Sequence, residues 1–363
     1  MKKIAVSSPG KLHLLGEHAV VHNKPAIIAA VNKRCFVQIC IRKDAKIIVT
    51  SKNYKKSITT DFSKIISKFQ KAEKDYAVYA KTNDIKLLKS ITGKPLDYPL
   101  LIIGQFINYF SLNTIEGFDL TIDSQIPSGA GMGSSAALAV AITGALCLLT
   151  NKPFDKKIIN QIAYLSEQKK HGLPSGGDNT TSCFGSLIWF KKDAYSGKAK
   201  MKPLAIKISK NISKNFYVAN TGTPKETTGE MVSRVGDLLK KNPKETKSIF
   251  NDQERLVKNL LLNLKKENSG KVLEIIKSGE NNLEKLGVVS VFVQKVIREI
   301  EDSGGAAKIC GGGGIKKGTG MLLIYHPEGL KNLKNALRIY QLEPIQLELG
   351  AEGLRVEKNS DTI

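Results

Sequence analysis

At 363 residues the chain is long enough for two domains, and its 41% hydrophobic and 25% charged residues place it among folded globular proteins and not among disordered chains. A formal net charge of +23 raises the question of nucleic acid. Only seven of the 56 basic residues are arginine, however, and aromatics are 6%, so neither the preferred phosphate reader nor a stacking platform is concentrated anywhere.

In chain order, the opening residues KKIAVSS alternate as an edge strand, and residues 26–43 read as strand material turned at Asn32 and Lys33. From 46 to 94 the sequence becomes lysine-rich, a hairpin followed by a helical excursion. Residues 99–110 have helical spacing. In the next segment Phe118, Leu120 and Ile122 alternate with polar neighbours as a half-buried strand that delivers the chain to a glycine-rich loop. The apolar run 136–149 is too short to span a membrane and reads as a buried helix. A second helix covers 155–170, with Asp155 at its start and lysines at its end, as the helix dipole favours. Residues 185–190 form a strand, and the polar loop 191–203 marks a domain boundary near 200. Beyond it come the segment NFYVANTG at 215–222, helices through roughly 228–302, a glycine cluster at 308–320, a strand at 321–326, a helix at 328–340 and two closing strands. Helices and strands mix in both halves, which predicts two α+β domains, 1–200 and 201–363.

Five cysteines, none spaced Cys-x-x-Cys, argue against a disulfide framework or a zinc site and fit a reducing cytoplasm. The first residues have no apolar run of the kind a signal peptide needs. No nucleic-acid or membrane partner is expected, and a homodimer is the common default for such a chain.

Three segments carry chemistry. In PSGAGMGSSAA, residues 127–137, Gly129, Gly131 and Gly133 stand on alternate positions before a helix. Backbone that open can turn N–H groups onto an anion, while the helix dipole adds about half a positive charge. Ser134 and Ser135 can cap the helix, and one hydroxyl could bind a phosphate-bound Mg²⁺. Taken alone the loop reads equally as a structural turn, and it is not the Walker A pattern. In PGKLHLLGEHAVVHNKPAI, residues 9–27, Lys11, Glu17, His18 and His22 sit among apolar neighbours, with turns expected at Gly10 and Gly16. In SEQKKHGLPSGGDNTTS, residues 166–182, Asp178 stands in a turn made by Gly176 and Gly177, with Glu167 eleven residues earlier near a helix end. Two carboxylates brought together can divide labour, one holding a metal and the other orienting or deprotonating a hydroxyl.

These segments, in this order, resemble the kinases named for galactokinase, homoserine kinase, mevalonate kinase and phosphomevalonate kinase. Gly16-Glu17-His18-Ala19-Val20 stands where a galactokinase would show Gly-Glu-His-Thr-Asp, and the wording is most similar to the mevalonate-phosphorylating branch. The resemblance implies an N-terminal domain like domain 2 of ribosomal protein S5, a ferredoxin-like C-terminal domain and an active site in the cleft between them. It implies ATP and Mg²⁺ as cofactors and the conversion of mevalonate to 5-phosphomevalonate in isoprenoid biosynthesis. By the same resemblance Pro127, Ser128, Gly129, Ala130, Gly131, Met132, Gly133, Ser134 and Ser135 wrap the ATP phosphates, and Ser135 and Glu167 hold Mg²⁺. Asp178 faces the acceptor hydroxyl with Lys11 beside it, and Glu17 and His18 help to bind mevalonate. Residues 220–230 resemble the family's second-domain substrate segment, which makes Thr227 a candidate hydroxyl contact. The glycine cluster 308–320 departs from the family pattern, with Gly312 where alanine is expected. Two other readings compete: a sister kinase acting on phosphomevalonate, homoserine or a sugar, and a basic, non-catalytic binding protein on the same scaffold.

Overall fold

Strand β1 (Lys3–Leu15) begins where alternation predicts it but runs straight through Gly10, so no turn forms there. The computed structural model describes residues 3–193, 196–197 and 199–358; residue 2 of the expected first strand and residues 194, 195 and 198 of the expected inter-domain loop lie outside the described residues. β1 pairs antiparallel with β2 (Pro25–Ile41) over nearly its whole length. Asn32 and Lys33 make no turn either: β2 passes through them as one strand, and they are absorbed as a shift of register opposite Pro9 and Gly10. The reason lies far away in sequence. The backbone N–H of Asn32 donates to the Glu348 carbonyl at 3.0 Å, and its side chain accepts from the Glu348 N–H at 3.1 Å. The expected edge position of β1 is also altered, because its outer side carries a short closing strand at residues 355–356.

The lysine-rich excursion is ordered as a hairpin, β3 (Ile47–Ser51) and β4 (Lys56–Thr60), followed by α1 (Phe62–Thr82) and α2 (Ile85–Ile91). Asp61 and Asp84 each cap the helix they precede by accepting a backbone N–H. Then come α3 (Asp97–Tyr109), β5 (Phe118–Ser124), α4 (Ser134–Leu149), α5 (Lys156–His171), α6 (Gly177–Phe184), β6 (Leu187–Lys192) and β7 (Ala199–Leu204). Helix α4 lies across β1 and β2 with Val140, Ile142 and Leu146 fully enclosed. Truncating Leu146 to alanine there costs about 2–5 kcal/mol.

The second half holds α7 (Lys210–Ser213), β8 (Phe216–Asn220), α8 (Thr228–Lys241), α9 (Pro243–Lys265), α10 (Ser269–Lys285), α11 (Val291–Asp302), β9 (Ala306–Ile309), β10 (Met321–Tyr325), α12 (Leu330–Leu337) and β11 (Ile345–Leu347). Its strands order as β11-β8-β10-β9, all antiparallel, which is the split βαβ arrangement of a ferredoxin-like sheet with four helices in the first crossover. The chain then returns to the first sheet, where β12 (Arg355–Val356) closes the order β12-β1-β2-β5-β3-β4, with β6 attached to β2 and β7 to β6. The two halves also meet where His22 stacks on Phe250 with ring centroids 4.5 Å apart, and where Lys24 reaches Asn251 and Glu254 on α9.

Candidate active site

The glycine loop is shaped by backbone demands that only glycine meets cheaply. Gly129, Gly131 and Gly133 have φ of +72°, +72° and +70°. At Gly129 and Gly131 an added Cβ would meet nothing within 4 Å, so backbone conformation alone selects glycine; at Gly133 it would lie 2.8 Å from Cγ of Lys11. Gly133 is the N-cap of α4 with no side-chain hydrogen bond, so Ser134 and Ser135 do not cap the helix as expected. They occupy its first turn, because the left-handed glycine already sets the chain's entry. The loop is tied to β1 by the Lys11 N–H, which donates to the Met132 carbonyl at 2.9 Å.

Around this loop the three segments converge. Nζ of Lys11 lies 3.1 Å from Oδ1 of Asp178, with the lysine side chain 7% exposed and the aspartate 36%. Asp178 sits not in a free turn but in the first turn of α6, which Gly176 caps in the left-handed region. The Ser135 hydroxyl donates to Oε2 of Glu167 at 3.1 Å, and the Tyr98 hydroxyl donates to Oε1 at 2.5 Å. Burial pushes the Glu167 carboxyl up to about 7, against the lowering effect of the two hydroxyls. A cavity of about 670 Å³ is lined by Lys11, residues 122 and 124–135, Asp178, Tyr54, Tyr98, Lys170 and His171, among others.

Glu17 and His18 lie at the far end of β1, buried, and outside that cavity. Oε1 of Glu17 accepts from Nζ of Lys308 on β9 at 2.5 Å, an ion pair with both side chains enclosed. His18 sits at φ 58° and ψ −48°, a strained conformation for a residue with a side chain, and its Nε2 contacts the Gly312 carbonyl at 3.0 Å. Thr227 caps α8 in a reciprocal capping box with Glu230 and is itself exposed. Its neighbour Thr228 packs against Gly312, where a Cβ would be 3.2 Å from three Thr228 atoms. The second glycine cluster thus joins His18 to the 227–228 corner.

Several residues at the site carry no expectation from the sequence. Lys170 and His171 follow Glu167 at helical spacing; Nζ of Lys170 stands 4.2 Å over the Tyr98 ring, and Nε2 of His171 is 3.1 Å from the Ser135 hydroxyl. Burial, and next the Lys170 ammonium, push His171 down to about 4 and keep it neutral. That i, i+3, i+4 spacing was the available signal. Tyr98 and Lys308 offered none, being one aromatic in a helical run and one lysine among many.

Residues 98–186 match the GHMP kinases N terminal domain, and the two-domain fold around them is that of the GHMP kinases. Among the relatives that match nearly its full length are mevalonate kinases. The enzyme of Pyrococcus furiosus is 29% identical over 364 residues, covering 98% of this chain and 99% of that one. The crystal structure of the Methanococcus jannaschii mevalonate kinase superposes with a TM-score of 0.76 at 21% identity, over 96% of this chain and 98% of that one. The L. major mevalonate kinase, solved in complex with R-mevalonate, superposes with a TM-score of 0.70 at 18% identity over 97% of each chain.

Proposed function

We propose that this protein transfers the γ-phosphoryl group of ATP to the primary hydroxyl of mevalonate, giving 5-phosphomevalonate. The observation that carries the reading is the Lys11–Asp178 pair facing the glycine loop across one cavity. Phosphoryl transfer leaves little covalent chemistry to a protein, and positioning with charge neutralisation supplies most of the acceleration.

In this reading the N–H groups of residues 127–135 and the N-terminus of α4 hold the triphosphate. Asp178 accepts a hydrogen bond from the acceptor hydroxyl and takes its proton as the new P–O bond forms. The Lys11 ammonium holds that carboxylate in place and screens the transferring phosphoryl group. Ser135 and Glu167 form a pair of hard oxygen donors at the loop's mouth, and a buried carboxyl held near neutrality without a cation fits a Mg²⁺ position. The ion, when bound, would neutralise charge on the β- and γ-phosphates. Glu17 and His18 shape the acceptor end, and Thr227 contributes from the second domain. All five cysteines are unpaired, which supports a cytoplasmic setting.

The test is ATP-dependent ADP release over a panel of mevalonate, phosphomevalonate, homoserine and galactose. Turnover of mevalonate well above the others is expected; activity on homoserine or galactose without mevalonate would replace this reading by a sister kinase.

A further inference from the structure

One polar side chain on β1 has no hydrogen-bond partner among the described residues. His13 stands on β1 two residues beyond Lys11, and pairing with β2 is regular from Gly10 to His13, so both side chains project from the same face about 6.6 Å apart along the strand. Its Nδ1 is buried without a hydrogen-bond partner, while the residue as a whole keeps some exposure. Among the described residues no group bonds to Nε2 either, so neither ring nitrogen is committed to a partner within the fold. The strand is pinned here to the second glycine cluster, since the Cys310 thiol donates to the His13 carbonyl at 3.8 Å. Burial first, then the Lys11 and Lys308 ammonium groups, push the imidazole down to about 3 against the raising effect of the Asp178 carboxylate, so the ring is neutral. A neutral imidazole has one donor and one acceptor nitrogen. A proton on Nε2 leaves only a lone pair enclosed at Nδ1 and makes Nε2 the ring's donor.

We propose that His13 reads the carboxylate end of the acceptor, its Nε2–H donating to a carboxylate oxygen of mevalonate while the primary hydroxyl lies at Asp178. The inference rests on mevalonate being the acceptor. The strand step from Lys11, which pairs with Asp178, to His13 is comparable with the length of mevalonate's five-carbon main chain from carboxylate to primary hydroxyl, and the Lys308 ammonium, already paired with Glu17, adds a positive field at that end without presenting a lone charge. His13 is thus a specificity residue, distinct from the groups that handle the phosphoryl.

The experiment uses the full chain and two acceptors: mevalonate, and the diol with mevalonate's carbon skeleton and a methyl group in place of the carboxylate. His13→Leu should raise KM for mevalonate roughly ten- to a hundredfold, the range for losing a hydrogen bond to a charged group. It should leave KM for ATP and kcat/KM for the diol near wild type, so that the preference for the acid collapses. His13→Gln, which keeps a donor, should recover most of the preference. If His13→Leu does not fold, His13→Asn, whose donor falls short, must show the same loss. An unchanged preference in the folded variant, or an equal loss on both acceptors, would overturn the assignment while leaving the kinase intact. A wild-type chain that phosphorylates another acceptor and not mevalonate would instead overturn the functional reading, and the role of His13 with it.

Discussion

Lys11 and Asp178, 167 positions apart in sequence, meet at 3.1 Å because β1 and the first turn of α6 flank the same glycine loop. The lysine is enclosed and the aspartate is open on one side, so the carboxylate is oriented from behind and free to face a ligand. A partner held this way fixes geometry more than it adds stability, since a pair with one exposed member contributes little.

The close approach of Gly133 to Lys11 makes one substitution informative. Gly133→Ala puts a Cβ 2.8 Å from Cγ of Lys11 at φ +70°, so it should displace the lysine as well as strain the backbone. We expect a stability loss of about 1–2 kcal/mol from the left-handed position and a fall in kcat beyond what that loss explains. Gly129→Ala, with φ +72° and nothing within 4 Å, should show the strain alone. Equal kinetic damage in the two variants would count against the Lys11 contact.

Ser135→Ala removes one of the two hydroxyls that hold Glu167 and one of the two oxygen donors at the loop. The Mg²⁺ concentration for half-maximal rate should rise about tenfold or more, in the range seen when ligand support is lost. Titrating Mg²⁺ at saturating ATP checks this, and an unchanged requirement would remove Ser135 from the metal site.

Glu280 gives a pH dependence of stability. It is fully enclosed on α10, its Oε2 accepts from the Ile309 N–H at 3.0 Å, and its Oε1 has no hydrogen-bond partner among the described residues. Burial raises it from 4.5 to about 8, opposed by the Ile309 hydrogen bond and by Lys308. With its folded pKa above the unfolded value, the folded chain keeps a proton that the unfolded chain releases. The stabilisation is therefore whole below about pH 4.5 and is lost as pH climbs through about 8. Thermal melts of wild type should fall across this window, and Glu280→Gln should fall less. Parallel melting curves for the two would show that Glu280 does not carry the effect.

Much of the site was legible because its demands are local. Three left-handed glycines before an apolar helix are marked by residue type alone, and so is an aspartate next to a glycine pair. What depended on distant partners was not legible. Asn32 looks like a turn residue until Glu348 pairs with it, and Gly10 looks like a turn until pairing with Val31 of β2 holds it in a strand. Lys308 is one lysine in a lysine-rich chain, and only the fold sets it against Glu17. Ser134 and Ser135 resemble caps by composition, but the left-handed Gly133 takes that position and frees the Ser135 hydroxyl for Glu167.

The most direct test of the account is a single-turnover measurement of phosphoryl transfer to mevalonate by Asp178→Asn, with ATP affinity determined on the same protein. Asparagine keeps the size and a donor toward the cleft but cannot take the hydroxyl proton. The transfer step should slow by a factor on the order of 10² or more, with ATP binding nearly unchanged. Transfer at close to the wild-type rate would contradict the central claim that this carboxylate confronts the acceptor hydroxyl.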